Sequence, residues 1–288
     1  MTTRPERVSA DEVKQRMLDA GRELALEAGA ALTIERLLLE EVIQRARVPR
    51  SSAYRQWAHR EDYIDDLLCY LAGPGSWFSD RPVLAPDTVI VAQRILDDNK
   101  ALMAAPEGRR ALLHEVARIA VERNYEALTS SAPWRLHMAL EVTLGSTRSG
   151  EARRRIAAAL EDAQQVSRES MVAMLGYVIG RLGMRLRDPA YSLDHLVLAG
   201  GLLIQALAMR NVQVQTAAGE PGSGDGEDSA ASPGAIAAAA RVNELLNAPI
   251  PGPGLTGQPA PWSLVALAYL GVVDAFIEPD PDFVPPVG

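Results

Sequence analysis

Residues 42–68 read VIQRARVPRSSAYRQWAHREDYIDDLL, and the fold turns on how this stretch is read. From Gln44 to Arg60 it carries five arginines (Arg45, Arg47, Arg50, Arg55, Arg60) and no acid, with Glu41 and Glu61 bracketing the run. Pro49 suits the first position of a short helix, where its missing N–H costs nothing. Ala53 and Trp57 lie four residues apart and are predicted to face inward. That spacing turns Arg50, Ser51, Tyr54 and Arg55 outward. Another helix is predicted from Arg60 to Leu71, and Gly73-Pro74-Gly75 closes the unit.

Upstream, Ser9 suits a helix N-cap, with Glu12 at the capping-box position. The helix it opens is predicted over about Ala10–Ala28, with Val13, Met17, Ala20, Leu24 and Ala28 as its inner stripe and Gly29 as its stop. A second helix is expected after Thr33 as N-cap, burying Leu38, Leu39, Val42, Ile43 and Ala46. Downstream the pattern is helical again, over about 86–105, 107–130, 133–146, 151–187, 191–212, 234–247 and 262–277. Residues 216–234 (TAAGEPGSGDGEDSAASPG) hold four acids and no base. Such a segment buries too little to offset its ordering entropy and is expected to be disordered. The expected fold is all-α. A three-helix helix-turn-helix domain occupies 1–75, and a helical bundle with that insertion occupies 76–288.

The chain has 288 residues and a net charge of −8, so any contact with nucleic acid must be local to the arginine patch. Residues 1–72 themselves hold 11 basic and 13 acidic side chains, which makes the acid-free run the only basic ground there. Cys69 is the single cysteine, which excludes an internal disulfide and fits a reducing compartment. The N-terminus lacks the apolar core of a signal peptide. The apolar stretches Leu196–Met209 and Leu264–Ile277 fall short of the ~18–20 residues a membrane span needs, and Gln205 and Asp274 interrupt them. A cytoplasmic protein with no membrane partner is expected.

A basic patch on a turn, on a short helix and at the start of the next is where a helix-turn-helix meets double-stranded DNA. Side-chain chemistry directs Arg50, Ser51 and Arg55 toward base edges. Arg47, Ser52 and His59 are further candidate DNA contacts. Arg4 and Arg7 read either as a minor-groove arm or as an ordinary loose terminus.

The segment resembles the TetR family of transcriptional regulators. There an IA-x-x-AGV helix end leads to a short recognition helix ending in Tyr, then an aromatic, then a Lys/Arg-Glu pair opening the next helix. Val42, Ile43, Ala46, Val48, Tyr54, Trp57, Arg60 and Glu61 match that pattern, as does the upstream LALEAGAALTI with Gly29 and Thr33. The resemblance covers residues 10–72. It implies a DNA-binding homodimer, usually a repressor, whose second domain answers a small molecule, and it puts Thr33, Tyr54 and Arg60 on phosphates. Three features depart from the pattern. The LLLEE stretch lengthens the second helix by about five residues. Arg47 stands where glycine is usual, a cost of about 1 kcal/mol if the position is left-handed. Pro49 replaces a Ser/Thr cap worth ~1 kcal/mol.

Candidate ligand contacts in the second domain are His114, Tyr125, Trp134, His137, Met138, Met171, Met174, Tyr177 and Gln205, polar or soft groups in apolar surroundings. The competing reading of each is ordinary bundle core. An apolar or aromatic effector fits the scarcity of cations on those faces. Leu198–Leu207 (LAGGLLIQAL), with 262–277, suits a close-packed dimer interface. An enzyme finds little support. His114-Glu115 begins an H-E-x-x-H motif, but Arg118 stands at the second histidine, and there is no G-x-S-x-G or phosphate-binding loop. No cofactor and no metal are expected. The alternative is a helix-turn-helix fold that binds protein and not DNA, favoured by the acidic balance and by Arg47 and Pro49.

Overall fold

The structure is a computed structural model that describes residues 9–27, 37–73, 86–144, 150–218 and 233–284. Eleven α-helices occur among the described residues: α1 (Ala10–Glu27), α2 (Leu39–Ala46), α3 (Arg50–Gln56), α4 (Arg60–Ala72), α5 (Pro86–Asp98), α6 (Pro106–Ser130), α7 (Ala132–Thr143), α8 (Gly150–Arg181), α9 (Leu193–Ala218), α10 (Pro233–Asn247) and α11 (Leu264–Phe276). Four strands of three residues join them: β1 (Met184–Leu186), β2 (Ile250–Gly252), β3 (Ala260–Trp262) and β4 (Ile277–Pro279). The chain is mostly helical, and these strands are the departure from a purely helical expectation.

Two compact units emerge. One is Met1–Arg81 with Ser131–Val166; the other is Pro82–Ser130 with Ser167–Gly288. The sequence predicts one boundary, at residue 75. The units are drawn differently because α7 packs on α1 and α4, placing Leu136 and Leu140 in the N-terminal core.

In the first unit, the Ser9 hydroxyl accepts the Glu12 N–H at 3.1 Å, as its capping role predicts. Val13, Met17, Ala20 and Leu24 are buried along one stripe of α1, while Ala28, Gly29 and Thr33 lie outside the described residues. Gly21 is needed for close approach. A Cβ there would lie 2.2 Å from the Tyr63 hydroxyl, which donates to the Met17 carbonyl at 3.0 Å.

The second helix is shorter than expected. Leu38 is extended (φ −83°, ψ 125°), so α2 begins at Leu39 and the five-residue lengthening is absent. Leu37 and Leu39 are buried, but Leu38 is 63 % exposed. That alternation is the signature of extended chain, and it reverses the expectation that Leu38 is core. Ala46 is half-buried.

The helix ends in a Schellman motif: the Arg47 N–H reaches the Gln44 carbonyl at 3.2 Å and the Val48 N–H reaches that of Ile43 at 3.5 Å. Arg47 is left-handed (φ 53°, ψ 42°), alone among the described non-glycine residues. Arg47→Gly is therefore expected to raise stability by about 1 kcal/mol, read as a higher denaturant midpoint in the full chain.

Pro49 sits at the N-cap of α3, extended, and not at the first helical position. Its carbonyl accepts from Ser52 at 2.9 Å and Ala53 at 3.2 Å. Ala53 and Trp57 are buried as predicted.

Asp66 on α4 ties this unit together. It accepts from the Trp57 indole at 3.1 Å, and pairs with Lys14 at 3.2 Å and Arg155 at 2.7 Å. Burial alone pushes its carboxyl up, but hydrogen bonds from Arg155, Trp57 and Lys14 outweigh burial and hold it below the usual range. A depressed folded-state pKa stabilises above the unfolded value and is lost as pH falls through the folded one. Asp66→Asn is thus expected to cost about 1–2 kcal/mol at neutral pH. It should also flatten the loss of stability below about pH 4, read by denaturant titration at several pH values.

In the second unit, α11 packs on α6 and α9 and buries Val265, Ala266, Tyr269, Leu270 and Val273. Five residues of the 262–277 stretch thus pack within this unit, the competing use of the surface expected to suit a dimer interface. The helix expected over 86–105 stops at Asp98 and passes into a 3-10 turn, Lys100–Ala104. The one expected over 151–187 stops at Arg181, because Gly183 takes φ +57° and turns the chain into β1. There β1 pairs antiparallel with β4, Arg185 opposite Glu278. Strands β2 and β3 form a hairpin with Ile250 opposite Trp262, whose indole donates to the Pro253 carbonyl at 3.0 Å. The segment expected to be disordered is helical at its edges, through Ala218 and from Pro233; residues 219–232 lie outside the described residues.

Helix α9 is long and apolar enough to cross a membrane by length and composition, with mean hydropathy 1.3 over Leu193–Gln215. Leu196, Gly200, Ile204, Ala208, Asn211 and Val214 form its buried stripe against α6, α10 and α11. Leu198 and Leu202, at 53 % and 58 % exposed, form the opposite face.

Candidate nucleic-acid interface

The seven residues of α3 divide between two faces. Ala53 and, at its end, Trp57 anchor it: the Trp57 ring meets Tyr63 edge-on, centroids 5.1 Å apart. Arg50, Ser51, Tyr54 and Arg55 are exposed on the other side, as their spacing predicts, and Ser52 is half-buried. Arg47 and His59 are exposed at either end of the helix. Thr33, Arg4 and Arg7 lie outside the described residues.

The arginines differ in what already holds them. Arg45 belongs to α1: it forms a two-pronged pair with Glu27 at 2.8 and 2.9 Å and reaches Glu23 at 3.5 Å. It therefore drops out of the patch that the sequence counts as five. The Arg60 Nε donates to the Leu37 carbonyl at 3.0 Å, which fixes the stem of the side chain near the start of α2. Arg47 and Arg55 make no ion pair with a described residue. At the start of α4 the Asp62 carboxylate accepts the His59 N–H at 3.3 Å. Glu61 and Asp62 in this first turn suit the positive end of the helix dipole.

Glu40 is the residue that sequence reasoning missed. From the first turn of α2 it pairs with Arg50 and accepts the Tyr54 hydroxyl at 2.9 Å. Hydrogen bonds from Arg50 and Tyr54 hold its carboxyl below the usual range, and Glu40 in turn pushes the Tyr54 hydroxyl up. An acid therefore stands on the basic face although the run 44–60 contains none. Its only sequence signal is a position ten residues before Arg50, which means nothing until the turn between α2 and α3 is known.

The second unit holds an apolar cavity of about 100 Å³. Met171, Met174 and Tyr177 of the expected ligand set line it, with Thr88, Leu96, Leu113, Val116, Ile204 and Tyr269. Thr88 is buried and its hydroxyl has no hydrogen-bond partner among the described residues. The other expected residues are dispersed. His114 meets Asp274 at 2.9 Å beside a separate cleft of about 210 Å³ formed with Glu107, Arg110 and Pro253. Tyr125 donates to the Leu207 carbonyl at 3.5 Å, and Gln205 is half-buried on α9 without lining either cavity. Trp134, His137 and Met138 belong to α7 in the other unit and are core there.

No family model matches the chain, and neither do any of the curated proteins or solved structures compared with it.

Proposed function

We propose that the chain is a DNA-binding transcriptional regulator of the TetR type, a cytoplasmic homodimer that represses by occupying a pseudo-palindromic operator and answers a small molecule. One observation carries the reading: α3 turns Arg50, Ser51, Tyr54 and Arg55 outward from a buried Ala53–Trp57 anchor, with Arg47 exposed in the turn before it. Arginine can donate two hydrogen bonds to guanine O6 and N7, and the α2–turn–α3 arrangement suits a helix laid in the major groove. Three or four base contacts give little specificity, so two copies on one face of the duplex, about 34–36 Å apart or a multiple, are required. The exposed Leu198 and Leu202 of α9, with Ile236 and Leu245 of α10 at 45 % and 61 % exposed, supply apolar surface for the second copy.

The cavity lined by Met171, Met174 and Tyr177 supports the response to a ligand. At about 100 Å³ it is smaller than a cavity known to take benzene, so its occupant is a small apolar or aromatic group unless the helices part. The grip of Glu40 on Arg50 and Tyr54 favours a second reading, a helix-turn-helix fold that binds protein and not DNA. A salt titration of binding to duplex DNA separates the two. Regulators of the first kind lose affinity linearly in log salt, with a slope of about −0.9 per neutralised phosphate. Absence of binding at low salt favours the second.

A further inference from the structure

We propose that Glu40 is a specificity-determining residue that suppresses binding to non-cognate DNA by neutralising Arg50 and engaging Tyr54 on the surface that meets the duplex. The inference rests on the DNA-binding reading above. Arg50 and Tyr54 are one helical turn apart on α3, and the single carboxylate of Glu40, reaching over from α2, engages both. On any duplex the first contacts are with phosphates, and their strength follows the charge available on the protein face. Glu40 cancels the charge of Arg50 there and turns its own negative oxygens toward the same phosphates. Non-cognate binding is therefore weakened.

At a cognate site the balance differs. A guanidinium has five N–H donors, so Arg50 can remain paired with Glu40 along one edge and address guanine along another. The pair also holds a long side chain in one orientation before DNA arrives, so less rotamer freedom is lost on binding. The same carboxylate that repels backbone thus supports base readout, and discrimination rises at the expense of overall affinity. Glu41, the next residue, is also exposed on α2 but pairs with neither Arg50 nor Tyr54, which makes it the natural control.

The test compares the full-length wild type, Glu40→Gln and Glu41→Gln. Each is titrated with salt on the duplex the wild type selects from a random pool and on a scrambled duplex of equal length. For Glu40→Gln the expected result is tighter binding to the scrambled duplex, a log–log salt slope steeper by about 0.9, and a ratio of selected to scrambled affinity lower by roughly ten-fold. Glu41→Gln should leave the ratio within about two-fold of wild type, since it removes the same charge without freeing Arg50. An unchanged slope and ratio in Glu40→Gln, or equal changes in both variants, would overturn the proposal while leaving the DNA-binding reading standing. Failure of the wild type to bind either duplex at low salt would instead remove the reading itself, and this inference with it.

Discussion

Trp57→Ala is expected to unfold the N-terminal unit or bring it close to unfolding. Trp57 is 3 % exposed, stands edge-on to Tyr63 at 5.1 Å, and donates its indole N–H to Asp66 at 3.1 Å. It joins the end of α3 to the core beneath α4. Truncation removes a large apolar surface, leaves a cavity, and takes one donor from a carboxylate that is mostly shielded from water. Removing a buried tryptophan costs about 3–5 kcal/mol, against a total of roughly 5–15 kcal/mol for a typical domain. Hydrogen exchange of residues 10–72 in the full chain is the direct measurement. Protection across α1–α4 should collapse in the mutant while α6 and α11 keep theirs. A mutant with wild-type protection across α3 and α4 would show that Trp57 is not the anchor described here.

The second large effect concerns Arg55. It is exposed on α3, and no described acid competes for it. If it makes a two-bond contact with guanine, Arg55→Ala should weaken selected-site binding by about 1–3 kcal/mol. Arg50→Ala behaves differently, because Arg50 does not leave alone. Its removal leaves the Glu40 carboxylate unpaired on the DNA-facing surface, so affinity should fall on both duplexes, and further on the selected one, where the base contact is lost as well. Fluorescence anisotropy of both mutants on both duplexes makes the comparison. Equal affinity of Arg55→Ala and wild type for the selected duplex would take Arg55 out of the interface.

Much of this was legible beforehand, for identifiable reasons. Helical spacing alone placed Val13, Met17, Ala20 and Leu24 inward on α1, and Ala53 and Trp57 inward on α3, because a residue's face follows from its period. The left-handed Arg47 follows only from the resemblance, since its side chain announces nothing of its backbone. Other features escaped because they depend on how elements meet. Leu38 looked like core in a leucine-rich run, and only the extended backbone at that residue turns it outward. Arg45 counted toward the basic patch, but Glu23 and Glu27 one helix away claim it. Glu40 and Asp66, the two acids that organise the face and its support, act on partners from other helices. The ligand set divides for the same reason: Met171, Met174 and Tyr177 recur at helical spacing and share a cavity, whereas Trp134, His137 and Met138 lie in the other unit. Thr88 at the start of α5 entered the cavity wall unannounced.

The central claim is that α3 of a two-fold symmetric dimer reads duplex DNA. Selection of bound duplexes from a random pool by the full-length chain, followed by footprinting on the enriched sequence, tests it most directly. The expected result is enrichment of a pseudo-palindrome and a symmetric footprint with half-site centres about 34–36 Å apart or a multiple of that, lost as salt rises. A pool that emerges without enrichment, or a footprint lacking two-fold symmetry, would contradict it.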